Sequence, residues 1–378
     1  MRILFSGESH MDGLAAIIEG FPAGFEFDEE RINKELNRRQ TGYGRSHRME
    51  IETDKVTVYS GVIGGRTIGS PITFIIPNKD NRRKDWSIAD RQTIPRPGHA
   101  DLPGLIKYGF EDIRLVAERA SARQTAAWTA VGSLLMQFLE KFNIKIFSFV
   151  RAIGEIEIQF PTDPFAIKHV VDKSPLRIPD AFKFNEIKEL IDKSKEEGET
   201  LGGIISVVVR GCPVGLGSYA HPDCRLDSQL AGALMAAPSI KGIEFGDGFK
   251  LSSLPGSETT DPIKVSQWGF NRATNHAGGI EGGLSNGMDI VMHLASKPIP
   301  TMKSGMTSID INNLDEVDSP YIRTDICVVP AVSVICEMLT ARVVAESFLE
   351  RFGADTFEGV CERYRNYKDK LEVLLESS

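Results

Sequence analysis

Cysteine is scarce in this sequence, and the little there is carries no pattern. Cys212, Cys224, Cys327, Cys336 and Cys361 are odd in number, far apart and without a C-x-x-C pair. They read as reduced, mostly structural thiols rather than a disulfide framework. The seven histidines show no H-E-x-x-H or similar spacing, so no metal site is expected. No segment reaches roughly 18 uninterrupted apolar residues, which excludes a membrane-spanning helix. The opening Ile3-Leu4-Phe5 is too short an apolar run for a signal peptide, which makes the cytoplasm the expected compartment. Basic charge is short as well: 44 Lys and Arg stand against 52 Asp and Glu, a net charge of −8. That balance argues against nucleic acid as a partner, since binding it needs a basic face. Fixed-period repeats and low-complexity tracts are also missing.

What is present is ample material for a core: 378 residues, 41% hydrophobic and 25% charged, enough for one large domain or two interlocked ones. Short β-rich runs bounded by Gly, Pro or polar residues fall at Arg2–Phe5, Val56–Tyr59, Ile72–Ile76, Ile144–Phe149, Gly203–Val209 and Ile290–Ala295. Helical periodicity is clearest at Glu29–Arg38, Ala122–Phe142, Asn185–Lys195, Leu226–Ala236, Val332–Phe352 and Thr356–Leu375. The two kinds mix without regular β-α-β alternation, so the fold class is α+β with antiparallel sheets rather than doubly wound. The Lys- and Glu-rich stretch Asp172–Glu199 is the best candidate for a surface insertion, although a solvated helix face is the favoured reading there.

Four long polar or glycine-rich stretches separate these elements: Arg38–Arg48, Asn78–Pro103, Lys250–Gly287 and Lys297–Arg323. Connections of that length are uncommon in compact domains unless they bind something. In Arg119-Ala120-Ser121-Ala122-Arg123-Gln124-Thr125, Ser121 and Gln124 have the spacing of a capping box, which would set a positive helix end beside two arginines. That is a site for an anion. Arg96-Pro97-Gly98-His99-Ala100-Asp101 adds a group that titrates near neutral pH. Arg38, Arg39, Arg45 and Arg48 read as four arginines on a flexible loop, suited to phosphate or carboxylate. Gly7-Glu8-Ser9-His10 lacks the context of a nucleophile elbow, which leaves His10 as a candidate general acid. Asn275 to Gly287 contains five glycines and could wrap a planar or phosphorylated cofactor, without being a dinucleotide fingerprint. Lys297-Pro298-Ile299-Pro300-Thr301 and Arg323-Thr324-Asp325 add a lysine, a hydroxyl, an arginine and a carboxylate before a C-terminal helix.

Taken in order, these pieces resemble the chorismate synthase family: G-E-S-H, R-R-Q-x-G-Y-G-R, R-P-G-H-A-D, R-A-S-A-R-Q-T, A-G-G-I-x-G-G-L-S-N-G, K-P-I-P-T and R-x-D-x-C-V-V-P. The match runs from about Ile3 to Phe352. The resemblance implies a sandwich with helices layered between antiparallel sheets, residues 1–378 as one domain, and a homotetramer. It implies conversion of 5-enolpyruvylshikimate 3-phosphate to chorismate and phosphate, a 1,4-elimination without net redox change that requires reduced FMN. NADPH is a candidate reductant for the flavin, and a separate flavin reductase is the other route. By resemblance, His99 protonates or holds the reduced flavin, and His10 donates a proton toward the departing phosphate. Asp325 assists removal of the substrate proton in the region of the flavin N5. FMN is held by Arg119, Ala120, Ser121, Gly282, Lys297, Pro298, Ile299, Pro300, Thr301 and Arg323. The substrate's phosphate and carboxylates fall to Arg39, Arg45, Arg48 and Arg123, and a histidine between phosphates is expected to keep its proton near neutrality. The chain departs from the family pattern at Met11-Asp12, Val116-Ala117-Glu118, Gln124, Trp128 and Pro238-Ser239.

Overall fold

The structure, a computed structural model, describes residues 1–45, 53–83, 86–87, 90–266, 269–303, 305–320, 325–353 and 355–376. The first sheet is built from β1 (Arg2–Gly7), β2 (Gly13–Glu19), β3 (Thr57–Ser60) and β4 (Ile72–Pro77), antiparallel in the order β1-β2-β4-β3. Strand alternation sends Leu14, Ala16, Ile18, Ile72, Phe74 and Ile76 into the core, while Leu4 and its cross-strand partner Ile17 stay exposed.

Among the described residues of the first half, the α-helices are α1 (Glu29–Gln40), α2 (Asp101–Tyr108), α3 (Ile113–Ala120) and α4 (Thr125–Glu140). Next come β5 (Lys145–Ile153), β6 (Ile156–Glu157), α5 (Ala181–Glu197), β7 (Gly203–Arg210), α6 (Leu226–Met235), β8 (Ile240–Phe245) and β9 (Ile290–Ser296). The chain closes with α7 (Val329–Phe352) and α8 (Phe357–Glu376). The second sheet, also antiparallel, runs β8-β9-β7-β5-β6. Helix α4 packs on β2 and β4 of the first sheet, α7 packs on β5 and β7 of the second, and the two helices pack on each other. The result is the expected α+β sandwich, sheet–helix–helix–sheet. Both central helices are buried almost all round, which is why their sequences carry little amphipathic contrast. Their backbones come close where Gly132 meets Met338: a Cβ on Gly132 would lie 2.4 Å from the Met338 Cβ.

Several expectations are corrected. Strand β2 and strand β8 were not anticipated, and neither were α2 and α3. Helix α1 extends to Gln40, so Arg38 and Arg39 sit in its last turn rather than on a loop, while Arg48 lies outside the described residues. The stretch Asp172–Glu199 holds the favoured solvated helix and no detached insertion: α5, capped by Asp180 and ended by Gly198 at φ +77°, exposes most of its Lys and Glu and buries Ile187 and Ile191 in the main core. Lys250–Gly287 is largely folded into short helical turns and two hairpins. No helix among the described residues is long and apolar enough to cross a membrane.

Candidate active site

A cavity of about 850 Å³ opens between the first sheet's loops, the α2–α4 segment, the end of β9 and the start of α7. Its walls come from segments spread along the whole chain, and each segment is held by contacts that reach across the sequence.

His10 lies between β1 and β2. Strand β1 ends at Gly7, where φ is +103° and an added Cβ would lie 2.2 Å from the Gly13 carbonyl oxygen, which leaves no room for a side chain. The following residues are clipped to the end of α3. The Ser9 N–H donates to the Glu118 carbonyl at 3.1 Å, and the Ser9 and Ser121 hydroxyls share a hydrogen bond of 3.0 Å. Glu118 takes His10 twice, with Oε2 accepting from the backbone N–H at 2.7 Å and Oε1 lying 2.6 Å from Nδ1. Ser9 therefore has no histidine partner for nucleophilic work. Burial alone would raise the Glu118 carboxyl, but the His10 ring and N–H outweigh it and hold Glu118 below the ordinary carboxylate range.

His99 is presented by a turn that its sequence dictates. Arg96-Pro97-Gly98-His99 closes with the His99 N–H on the Arg96 carbonyl at 3.3 Å, with Gly98 at φ +75° in the position where a type II turn wants glycine. Asp101, fully buried, locks the turn by a bidentate bond to Arg96 at 2.7 and 2.9 Å. Gly98 rests on Pro300, and His99 Nε2 meets the Thr301 hydroxyl at 2.7 Å. The R-P-G-H and K-P-I-P-T segments are thus two halves of one wall. Burial, with Arg96 and Lys297 nearby, pushes His99 down to about 4. The protein's own surroundings are dry and cationic there, so a proton kept on His99 near neutrality calls for ligand anions beside it.

Asp325 stands just ahead of α7 and pairs with Arg45 at 3.1 Å, while the Ile326 N–H donates to the Gly44 carbonyl. Arg39 and Arg123 converge from opposite sides on Asp54, at 2.7 and 2.5 Å. Arg39 also donates to Thr125, and Arg123 to Asn78. The anion these two arginines already hold belongs to the protein, although both still line the cavity.

The lining is cationic. Arg39, Arg45, Arg82, Arg96, Arg114, Arg123 and Lys297 face Asp101, Glu118 and Asp325 among the described residues. Lys297 makes no ion pair there; its Nζ lies 3.4 Å from the Gly98 carbonyl. The Nε groups of Arg39 and Arg45 are buried without a hydrogen-bond partner. A low-dielectric pocket lined by many guanidinium groups, with a lysine ammonium outside any ion pair among the described residues, favours a ligand with several negative charges.

The expected site residues do not all arrive. His10, His99, Asp325, Ala120, Ser121, Lys297, Ile299, Pro300, Arg39, Arg45 and Arg123 line the cavity, with Thr301 directly behind His99. Arg119 instead donates to the Gly7 and Phe5 carbonyls of β1, while Arg123 reaches Asp54, so the two arginines flanking Ser121 have different partners. Ser121 caps a short 3-10 turn, Ala122–Gln124, through the Arg123 N–H, and α4 begins only at Thr125. The reciprocal arm of a capping box, from Gln124 to the Ser121 N–H, does not form among the described residues. Pro298 is not in the wall, and Arg323 lies outside the described residues. Gly282 sits in the tip of a hairpin, Ile280–Glu281 with Leu284–Ser285, away from the cavity. The neighbouring glycines Gly278 and Gly279 allow close backbone contact with Gly246 and Asp289. Sequence reasoning missed Asp54, Asn78 and Arg114. It noted Glu118 only as a departure from pattern, although a carboxylate three residues before the Ser121 motif was the available signal.

Comparison with known proteins follows the same residues. Residues 1–349 match the family model for chorismate synthase. A chorismate synthase of Carboxydothermus hydrogenoformans is 46% identical over 381 residues, covering 98% of this chain and 99% of that protein. One from Alkaliphilus metalliredigens is 45% identical over 375 residues, covering 97% and 99%. A crystal structure of a chorismate synthase superposes with a TM-score of 0.82 at 39% identity, covering 98% of each chain.

Proposed function

The chain belongs to the chorismate synthase family, and from that premise we propose which of its residues carry the reaction. The enzyme is a carbon–oxygen lyase. It removes phosphate and a ring proton from 5-enolpyruvylshikimate 3-phosphate by 1,4-anti elimination to give chorismate, the last step of the shikimate pathway to the aromatic amino acids. The observation that carries the residue assignment is the meeting of His10, His99 and Asp325 in one cation-rich cavity, from three segments far apart in sequence.

The family's need for reduced flavin suits this cavity. Its volume lies in the upper part of the usual range for small-molecule sites, roughly 300–1,000 Å³, and the buried, unpartnered Nε atoms of Arg39 and Arg45 ask for acceptors. FMN would be held by Ala120, Ser121, Lys297, Ile299, Pro300 and Thr301, and its reduced ring supplies transient electron density as the phosphate leaves. His10 hands a proton to the departing phosphate oxygen. Arg45 orients Asp325 on the side where the ring proton is lost. His99, fixed by Thr301, donates a hydrogen bond to the flavin. Water kept out of the pocket strengthens each of these contacts. The assembly is taken as a homotetramer, for which the exposed Leu4–Ile17 pair on the outer face of the first sheet offers apolar surface.

The test is anaerobic phosphate release from 5-enolpyruvylshikimate 3-phosphate with dithionite-reduced FMN, with chorismate followed by absorbance. Stoichiometric products are expected. His10→Gln, His99→Ala and Asp325→Asn should each lower turnover by about 10²–10⁴-fold with the fold intact. A variant that keeps wild-type turnover loses its assigned role. The same assay with NADPH replacing dithionite separates self-reduction from dependence on another reductase.

A further inference from the structure

We propose that Glu118 is the positioning residue for His10: it sets the ring's tautomer and its aim into the cavity. The proposal rests on the reading of His10 as the acid. Two oxygens of one carboxylate hold the same residue at two points, the backbone N–H at 2.7 Å and Nδ1 at 2.6 Å, which fixes both the loop and the ring's rotation. A third contact, from the Ser9 N–H to the Glu118 carbonyl, ties the preceding residue to the same turn of α3. Contacts of this number are not needed to close a surface loop. The His10 carbonyl is itself occupied by the Arg82 N–H at 2.8 Å, and the Asn78 amide spans the Glu8 and Met11 carbonyls, so the loop has backbone anchors besides Glu118.

The chemistry follows from which nitrogen is engaged. With Oε1 accepting from Nδ1–H, the proton available for transfer is the one on Nε2. Nε2 lies 3.7 Å from an oxygen of Asp80, a carboxylate that Arg82 grips bidentately at 3.0 and 2.9 Å. In the reaction the Nε2–H bond breaks and an O–H bond forms on the departing phosphate. The ring becomes neutral with its remaining proton still on Nδ1, facing Glu118, so that Nε2 is ready to be reprotonated. Without the carboxylate the neutral ring is free to hold its proton on either nitrogen and to rotate, as when the orienting carboxylate of a catalytic histidine is removed. The Glu118 side chain is only 12% exposed, and both of its oxygens are engaged by His10.

Three measurements on the full-length protein decide it. Glu118→Gln should lower kcat by about 10–100-fold while leaving the substrate KM within about two-fold. In protein labelled with 15N-histidine, the His10 ring, assigned through its loss in His10→Gln, should show Nδ1 protonated in the wild type and a mixture in Glu118→Gln. The double variant His10→Gln with Glu118→Gln should be no slower than His10→Gln alone, because a residue that acts through His10 has nothing left to act on. Multiplying losses, an unchanged ring tautomer, or a wild-type kcat in Glu118→Gln would each overturn the proposal. The tautomer reading stands apart from turnover, so failure of His10 as the acid would show as retained activity in His10→Gln whatever Glu118 does. Glu118→Asp, which keeps the charge, should recover part of kcat if it folds, and the ring spectra decide the matter if it does not.

Discussion

At the scale of single residues the cavity wall depends on Gly98. Its φ of +75° costs an L-residue about 1–2 kcal/mol, and an added Cβ would lie 2.7 Å from the Pro300 Cβ. Pro300 is bonded to Thr301, which holds His99. Gly98→Ala should therefore separate the two halves of the wall and lower kcat/KM by about 10–100-fold, since displacements near 1 Å cost that much in a positioned site. Gly64 supplies the control: its φ is +58° with open space where a Cβ would go. Gly64→Ala should show the backbone strain as a lower Tm with kcat/KM unchanged. Equal kinetic losses in both variants would mean that strain, not the Pro300 contact, is at work.

At the scale of elements, one buried carboxylate joins three of them. Glu337 of α7 bonds Arg38 of α1, Arg177 at 2.9 Å, and both the N–H and hydroxyl of Ser148 in β5. Burial opposes its charge, yet Arg38 and Arg177 outweigh burial and bring it down to about 2. A carboxyl whose folded value lies below its unfolded 4.5 contributes stability that is present in full above that value and lost as pH falls toward 2. Glu337→Gln should destabilise the protein by about 3–5 kcal/mol at neutral pH, because Arg38 and the buried Arg177 lose the charge they share and keep only Glu35 and Asp172. It should also flatten the fall of Tm between pH 4.5 and 2. Thermal melts across that range check both effects, and an equally steep acid fall in the variant would assign it to other carboxylates. The element scale is also where the sequence was most legible and where its gaps are instructive. Helix α7 was visible from Val332, and it starts earlier because Pro330 fits the first helical turn. Strand β2 was not visible: Ala15 and Ala16 are weak strand formers, and its state is set by pairing with β1 on one side and β4 on the other. Helix α2 hid behind Pro103 and Gly104. Gly104 is required there because Val116 of α3 would meet its Cβ at 2.5 Å, a contact no local pattern reveals.

At the scale of the molecule, the motifs were legible as chemistry but their meeting was not. Ser9 with Ser121, His99 with Thr301, and Arg45 with Asp325 are contacts across more than 100 positions, and periodicity says nothing of them. The same point shows in an arginine-rich motif: Arg119 and Arg123 are close in sequence, but tertiary structure sends one to β1 and the other to Asp54. A cavity assembled this way makes its ligand a brace for the whole fold. Binding to the folded state alone adds about 2.7 kcal/mol at a ligand concentration 100 times Kd, so FMN or substrate should raise the global Tm by a few degrees. Arg45→Ala, which removes an ion pair of Asp325 and a lining cation, should shrink that rise. His99 adds a linkage of known sign. Its ring is held at about 4 by its dry, cationic surroundings, so between that value and its unfolded 6.5 the folded protein carries fewer protons than the unfolded one. A bound phosphate moves His99 back toward its ordinary value and draws a proton in. Titration calorimetry at pH 5.5 in buffers of different ionisation heat should find proton uptake on binding, and His99→Gln should remove the part due to the ring. Binding without that difference would place the ligand's anions away from His99.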